Sequence, residues 1–175
     1  MTKRKQPMRK RLTHCDEKGA AKMVDVSTKR VTLRRAVATA EVHLAVETLT
    51  LIHDGGISKG DVFAVARIAG IQAAKRTDEL IPLCHPLPIE AIHVDIQADP
   101  PTRILIRTEA VIRGRTGIEM EALTAAAAAA LTIYDMCKAV DRGIVIGPIQ
   151  LERKSGGRSG TWRRSRMPRA KSKAR

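Results

Sequence analysis

Apolar and polar residues alternate along three stretches of the chain and recur at helical spacing along two others. Ala36, Ala38, Ala40, Val42 and Leu44 are interleaved with Val37, Thr39, Glu41 and His43, the period of a strand with one buried face. Ile92, Val94, Ile96 and Ala98 repeat the period, as do Ile104, Ile106, Thr108, Ala110 and Ile112. Asp99, Pro100 and Pro101 predict the turn between these two strands. A last strand is predicted over 144–151, closed by the glycine-rich Ser155-Gly156-Gly157-Arg158-Ser159-Gly160.

Two longer helices lie between the strands, and residues 47–53 read as a short helical turn. Ser58, with Asp61 three residues on, predicts a capping box. The helix it opens runs to about Thr77, with Val62, Val65, Ala66, Ala69 and Ala73 on one face and Pro82 as its latest end. Thr116 and Glu119 form a second such pair, ahead of a helix that passes through six consecutive alanines to Val140, with Gly143 as a stop. Its predicted apolar stripe is Met120, Leu123, Ala127, Leu131 and Tyr134. The next step along that stripe is Lys138, so a cation is expected on the buried line, with Asp135 three residues away as its partner. The alanines make this helix thin and allow another element to approach it closely.

The order is β-α-β-β-α-β. This predicts an α+β, ferredoxin-like fold, with an antiparallel sheet carrying its helices on one face. One chain has no further helix for the other face, so an oligomer is expected to cover it.

Charge changes this picture little. The net charge is +14, but six cations lie in residues 1–12 and seven in 162–175, with no acid in either stretch. The middle is therefore close to neutral. Three domains of the sequence follow: a basic, disordered tail over 1–22, a catalytic domain over 23–160 and a second basic, disordered tail over 161–175. Cys15, Cys84 and Cys137 are few and widely spaced, which predicts free thiols in a reducing cytoplasm rather than a disulfide framework or zinc site. Neither a membrane span nor a secretory leader is expected. The aromatic residues are Phe63, Tyr134 and Trp162 alone. A nucleic-acid module on a ferredoxin-like core is the alternative reading. An RNA-recognition sheet stacks bases on aromatic side chains, and the predicted strands contain none.

Several residues carry candidate chemistry. Lys59 is placed in the first turn of its helix, where a cation opposes the macrodipole. It reads either as an exposed lysine or as an ammonium held there for proton transfer or anion binding. His85 is fixed by Pro86 within Leu83-Cys84-His85-Pro86, and is aimed either at a substrate or at a backbone group. Glu119 has a capping role, whereas Glu121 has none. A buried Asp135–Lys138 pair would be costly without a function. Lys154 and the following glycine-rich loop suit a phosphate. Glu121 and Asp135 are separated by about 21 Å along a straight helix, so one small site cannot take both from one helix: either the substrate is long or a neighbouring subunit completes each site.

Taken together, Met23-Val24-Asp25-Val26-Ser27, Lys59-Gly60-Asp61-Val62, Leu80-Ile81-Pro82-Leu83-Cys84-His85-Pro86-Leu87, Thr116-Gly117-Ile118-Glu119-Met120-Glu121-Ala122-Leu123-Thr124, Ile133-Tyr134-Asp135-Met136-Cys137-Lys138 and Lys154-Ser155-Gly156-Gly157 resemble molybdenum cofactor biosynthesis protein C, the cyclic pyranopterin monophosphate synthase family. The resemblance covers about residues 23–160. It implies a lyase that rearranges a 3′,8-cyclised dihydro-GTP into cyclic pyranopterin monophosphate and releases pyrophosphate. It also implies a homohexamer, a trimer of dimers, with sites between subunits. By motif, Asp135, Lys138 and Lys59 are implied as catalytic. Leu83, Cys84, His85, Met120, Glu121 and Glu119 are implied at the substrate, with Arg34 and Lys154 toward its phosphates. Arg115 and Arg158 stand where the family usually has lysine. No cofactor is called for, and a magnesium ion accompanying the triphosphate is left open.

Overall fold

The computed structural model describes residues 20–165. The basic stretches over 1–19 and 166–175, where most of the two expected tails fall, lie outside the described residues. Strand β1 (Thr32–His43), helices α1 (Val46–His53), α2 (Val62–Lys75) and α3 (Thr77–Leu80), and strands β2 (Ala91–Asp99) and β3 (Arg103–Gly114) come first. Helix α4 (Glu119–Cys137) follows, then β4 (Val145–Ile146), β5 (Gln150–Ser155) and β6 (Trp162–Arg163). The sheet order is β2-β3-β1-β5-β6, with β4 beside β1. Every pairing is antiparallel. The first four positions are the ferredoxin-like order, as expected from the order of the elements.

The alternation also sets the two sheet faces. Ala36, Ala38, Ala40 and Val42 on β1, with Ile104, Ile106, Ala110 and Ile112 on β3, point into the core beneath α2 and α4. Arg35, Glu41, Arg103 and Glu109 take the opposite parity. On that open face Arg35 pairs with Glu109 at 2.6 Å, and Arg103 pairs with Glu41 and Asp99. The open face thus carries these ion pairs beside apolar residues of the same parity such as Leu33, which is 54% exposed. Exposed apolar side chains also lie on the helix layer, with Ile68 on α2 56% exposed and Leu131 on α4 59% exposed.

The helix faces differ from the predicted stripes, and the cause is close packing. On α2 the buried line is Val62, Ala66, Gly70 and Ala74, while Val65 is exposed. On α4 it includes Ala122, Ala125, Ala126, Ala129, Ala130 and Ile133. Met120, Leu131 and Lys138 face outward. A Cβ on Gly70 would lie 2.9 Å from the Ala125 carbonyl oxygen, so the two helices meet along their smallest residues. The alanine run does make α4 thin, but the thin side is the buried side. Lys138 thus lies on an exposed line, and the inference of a buried cation is corrected.

Both capping boxes are corrected as well. Helix α2 starts at Val62, and its cap is Asp61, whose carboxylate accepts from the Ala64 amide at 2.9 Å. Lys59 sits in the preceding turn, outside the first helical turn. Helix α4 has Ile118 at its N-cap position with no side-chain cap. The Glu119 carboxylate turns away to Lys154. The helix ends at Cys137, three residues before the predicted Val140, and the Val140 and Asp141 amides both donate to the Cys137 carbonyl. The strand predicted over 144–151 is two strands, β4 and β5, separated by a segment containing Gly147 and Pro148. Past residue 160, where the sequence places the start of the second tail, β6 still pairs with β5. Trp162 lies opposite Lys154, with Arg164 over its ring at 5.9 Å.

Candidate active site

The loops at the N-terminal end of α4 enclose a cleft of about 1140 Å³. Its walls are the segment before β1, the start of β1, the loop after α3, the turn leading into α4 and the glycine-rich loop after β5. Leu83, Cys84, His85, Met120, Glu121, Glu119, Arg34 and Lys154 all line it. Eight positions picked out along 120 residues of sequence therefore converge on one concavity. Lys29, Arg30, Thr32, Arg115 and Arg158 line it too. Lys29, Arg30 and Thr32 were not singled out from sequence. They lie in and just after a short loop, and no local pattern distinguishes them from solvated polar residues.

One wall is cationic and held in place by backbone. Arg34 Nε donates to the Gly114 carbonyl at 2.9 Å and Nη2 to the Arg115 carbonyl at 3.0 Å. Its guanidinium lies over the glycine-rich loop, where a Cβ on Gly157 would be 2.4 Å from Nη1. Lys154 Nζ pairs with Glu119 Oε1 at 2.9 Å and reaches Ser159 Oγ at 3.3 Å. His85 Nε2 lies 3.0 Å from the Val24 carbonyl. A carbonyl only accepts, so Nε2 carries the proton and the ring is fixed by backbone.

The cleft is also lined by a buried acid. Glu121 is only 4% exposed. Burial, reinforced by the neighbouring Glu119 and Asp78 charges, pushes its carboxyl up to about 7. Burial and the charges of Glu121 and Asp78 likewise push the Cys84 thiol up, which disfavours its thiolate. The cleft therefore offers both a carboxylic acid able to exchange a proton near neutrality and a set of cations.

The stability consequence has a definite sign. The ordinary carboxyl value is 4.5 and the folded value about 7. The folded protein therefore binds more protons than the unfolded chain between these values, and stability falls as pH rises through that window. Glu121→Gln is expected to remove this dependence and to be about 1–3 kcal/mol more stable than the wild type at pH 8. Urea unfolding at pH 5 and pH 8 checks it. Equal pH slopes in the two proteins would contradict a buried, proton-retaining Glu121.

Asp135, Lys138 and Lys59 lie together at the other end of α4. Lys138 Nζ is 2.6 Å from Asp135 Oδ1, and Lys59 Nζ is 2.8 Å from Oδ2. Lys59 also donates to the Asp135 backbone carbonyl at 2.8 Å, one of the last helical carbonyls, so it closes the C-terminus of α4. The hydrogen bonds and charges of Lys138 and Lys59 hold Asp135 down to about 2. Asp135 in turn raises Lys138. The i,i+3 helix pair exists, but it is solvent-exposed and includes a third member from 76 residues away. None of the three lines the cleft.

Among the described residues, no three of His, Cys, Asp and Glu gather where a metal ion could sit. No helix among them is long and apolar enough to cross a membrane.

Known proteins share this chain's sequence over nearly its whole length. It is 61% identical over 154 residues to cyclic pyranopterin monophosphate synthase 1 of Mycobacterium tuberculosis, covering 88% of this chain and 91% of that protein. It is 61% identical over 156 residues to the cyclic pyranopterin monophosphate synthase of Thermomicrobium roseum, covering 87% and 93%. Cyclic pyranopterin monophosphate synthase 3 of Mycobacterium bovis is 60% identical over 153 residues, covering 87% and 86%. The model of the MoaC family matches residues 23–157, the stretch that holds the Lys59–Asp135–Lys138 cluster and all of the cleft lining but Arg158 and Ser159, and the chain belongs to that family.

Proposed function

We propose that this protein is a cyclic pyranopterin monophosphate synthase of molybdenum cofactor biosynthesis. It converts (8S)-3′,8-cyclo-7,8-dihydroguanosine 5′-triphosphate into cyclic pyranopterin monophosphate and pyrophosphate. The observation that carries the reading is the mixed lining of the cleft. Lys29, Arg30, Arg34, Arg115, Lys154 and Arg158 line it with positive charge, and the buried Glu121 carboxyl lines it too, with an exchangeable proton. A triphosphate needs fixed cations where negative charge develops as pyrophosphate leaves. Rebuilding a purine ring into a pterin needs acid–base groups close by. His85 and Cys84, both on the loop after α3, contact the base in this assignment. Magnesium, where it takes part, enters with the triphosphate.

Asp135, Lys138 and Lys59 complete the catalytic set from a second subunit. Fourteen residues of helix separate Glu121 from Asp135, about 21 Å, so the cluster of one chain does not reach its own cleft. In a homohexamer built as a trimer of dimers, a neighbour's cluster closes each cleft. Exposed Ile68 and Leu131 on the helix layer supply apolar contact surface for such an assembly. The protein works in the cytoplasm on a small-molecule substrate. Contact with nucleic acid is confined to the basic termini and is non-specific, with the steep salt dependence of phosphate binding.

The test is turnover of the cyclised dihydro-GTP by the purified full-length chain. Pyrophosphate and the oxidised fluorescent pterin are expected in equal amounts. Neither product from a folded oligomer would overturn the assignment.

A further inference from the structure

Among the described residues, one buried side-chain nitrogen or oxygen has no hydrogen-bond partner: Thr32 Oγ1. A hydroxyl hidden from water and left unbonded is destabilising. Valine has the same shape, favours strands, and would fill the position without that penalty. The hydroxyl therefore asks for a use outside the folding of the free chain.

Its location suggests one. Thr32 opens β1 opposite Gly114 of β3. It shares the parity of Arg34 and Ala36, so it lies on the helix-covered side of the sheet, and it lines the cleft beside Arg30, Arg34 and Lys154. The residue as a whole is part-exposed, although Oγ1 is not. One staggered step of χ1 carries a threonine hydroxyl to a neighbouring substituent's position at little cost. Lys29, Arg30, Arg34, Arg115, Lys154 and Arg158 are the cations of the same cleft. They favour an anion there, and a hydroxyl among them is a neutral donor to that anion's oxygen.

We propose that Thr32 is a phosphate-binding residue whose hydroxyl is unbonded in the free protein and turns to donate to a phosphoryl oxygen of the bound substrate. This rests on the reading of the cleft as a triphosphate site and assigns it a residue that its motifs do not mark. The ligand restores a hydrogen bond that the free protein lacks. Removing the hydroxyl should consequently weaken binding without weakening the fold.

Three full-length proteins test this: wild type, Thr32→Val and Thr32→Ser. Pyrophosphate binding is measured by calorimetry and thermal stability by unfolding. Thr32→Val is expected to melt at or above the wild-type temperature and to bind pyrophosphate about five- to tenfold more weakly. Thr32→Ser is expected to bind within about twofold of the wild type. In turnover, the KM of Thr32→Val for the cyclised substrate should rise by the same factor with kcat nearly unchanged. Wild-type affinity in Thr32→Val would overturn the proposal, as would a Thr32→Ser protein that binds as weakly as Thr32→Val. A wild-type protein that does not bind pyrophosphate would overturn the anion cleft itself, and that failure is seen before any variant is made.

Discussion

Turnover is expected to fall by about 10²–10³-fold in Lys138→Ala, and by a comparable factor in Asp135→Asn, with the oligomer intact in both. The cluster is solvent-exposed and lies at the end of a helix whose core is made elsewhere, so neither change removes packing. Lys138→Ala deletes one of the two cations that hold Asp135 down to about 2. Asp135→Asn keeps the shape but removes the charge that Lys138 and Lys59 both face at 2.6 and 2.8 Å. Pyrophosphate release, followed beside analytical ultracentrifugation, measures both effects. Full activity in the two variants would remove the cluster from the active site.

A mixing experiment then asks which chain supplies the cluster. Lys138→Ala keeps its own cleft, and Glu121→Gln keeps its own Lys59–Asp135–Lys138 cluster. Glu121→Gln is expected to lose turnover as well, because it cannot exchange the proton, and if each site is built from two chains, co-assembled oligomers of the two variants contain some sites with both halves intact. Random assembly makes that fraction about one quarter. Recovery of roughly that share of wild-type turnover is expected. No recovery in verified mixed oligomers would place the whole site within one chain, against the helix length between its two ends.

The largest effect on stability is expected at Gly156. Its φ is +96°, and a Cβ there would lie 2.2 Å from the Leu33 carbonyl oxygen and 3.2 Å from the Arg34 Cα. Both are backbone atoms of β1, so no side chain can move aside. Gly156→Ala combines an unfavourable left-handed backbone with forced separation of the glycine-rich loop from β1, together about 3–5 kcal/mol. For a domain of this size that is a melting temperature lower by roughly 10 °C. Gly55→Ala is the control. Gly55 has a φ of +70° but nothing within 4 Å of its Cβ position. It should lose only the backbone part, about 1–2 kcal/mol. Equal losses in the two variants would mean that the contact between loop and strand does not matter. Because the loop directly follows Lys154 of β5 and packs against the Arg34 guanidinium, Gly156→Ala should weaken pyrophosphate binding as well.

Much of this protein is legible in its residues taken in order. Period-two alternation placed β1, β2 and β3, since a residue's face in a strand depends only on its parity. The element order then limited the sheet to a ferredoxin-like arrangement. The motifs around Cys84, Glu121 and Lys154 named the cleft residues before any geometry joined them. The rise of a helix alone separated Glu121 from Asp135. The helix faces were a different matter. Large apolar residues usually mark the buried side, but α2 and α4 approach until Gly70 meets Ala125, and only small side chains fit between them. Met120, Leu131 and Lys138 were thereby turned outward, a consequence of interhelical distance that no single helix records. Glu119 reads as a cap until Lys154 is found 2.9 Å away, and Lys59 reads as a first-turn lysine until it reaches Asp135. The cations Lys29 and Arg30 gained meaning only when the segment before β1 and the loop after β5 lined one cleft. Local pattern determined which elements form, because backbone periodicity is local. Tertiary structure decided which side chains meet, because each of those contacts joins residues far apart in the chain.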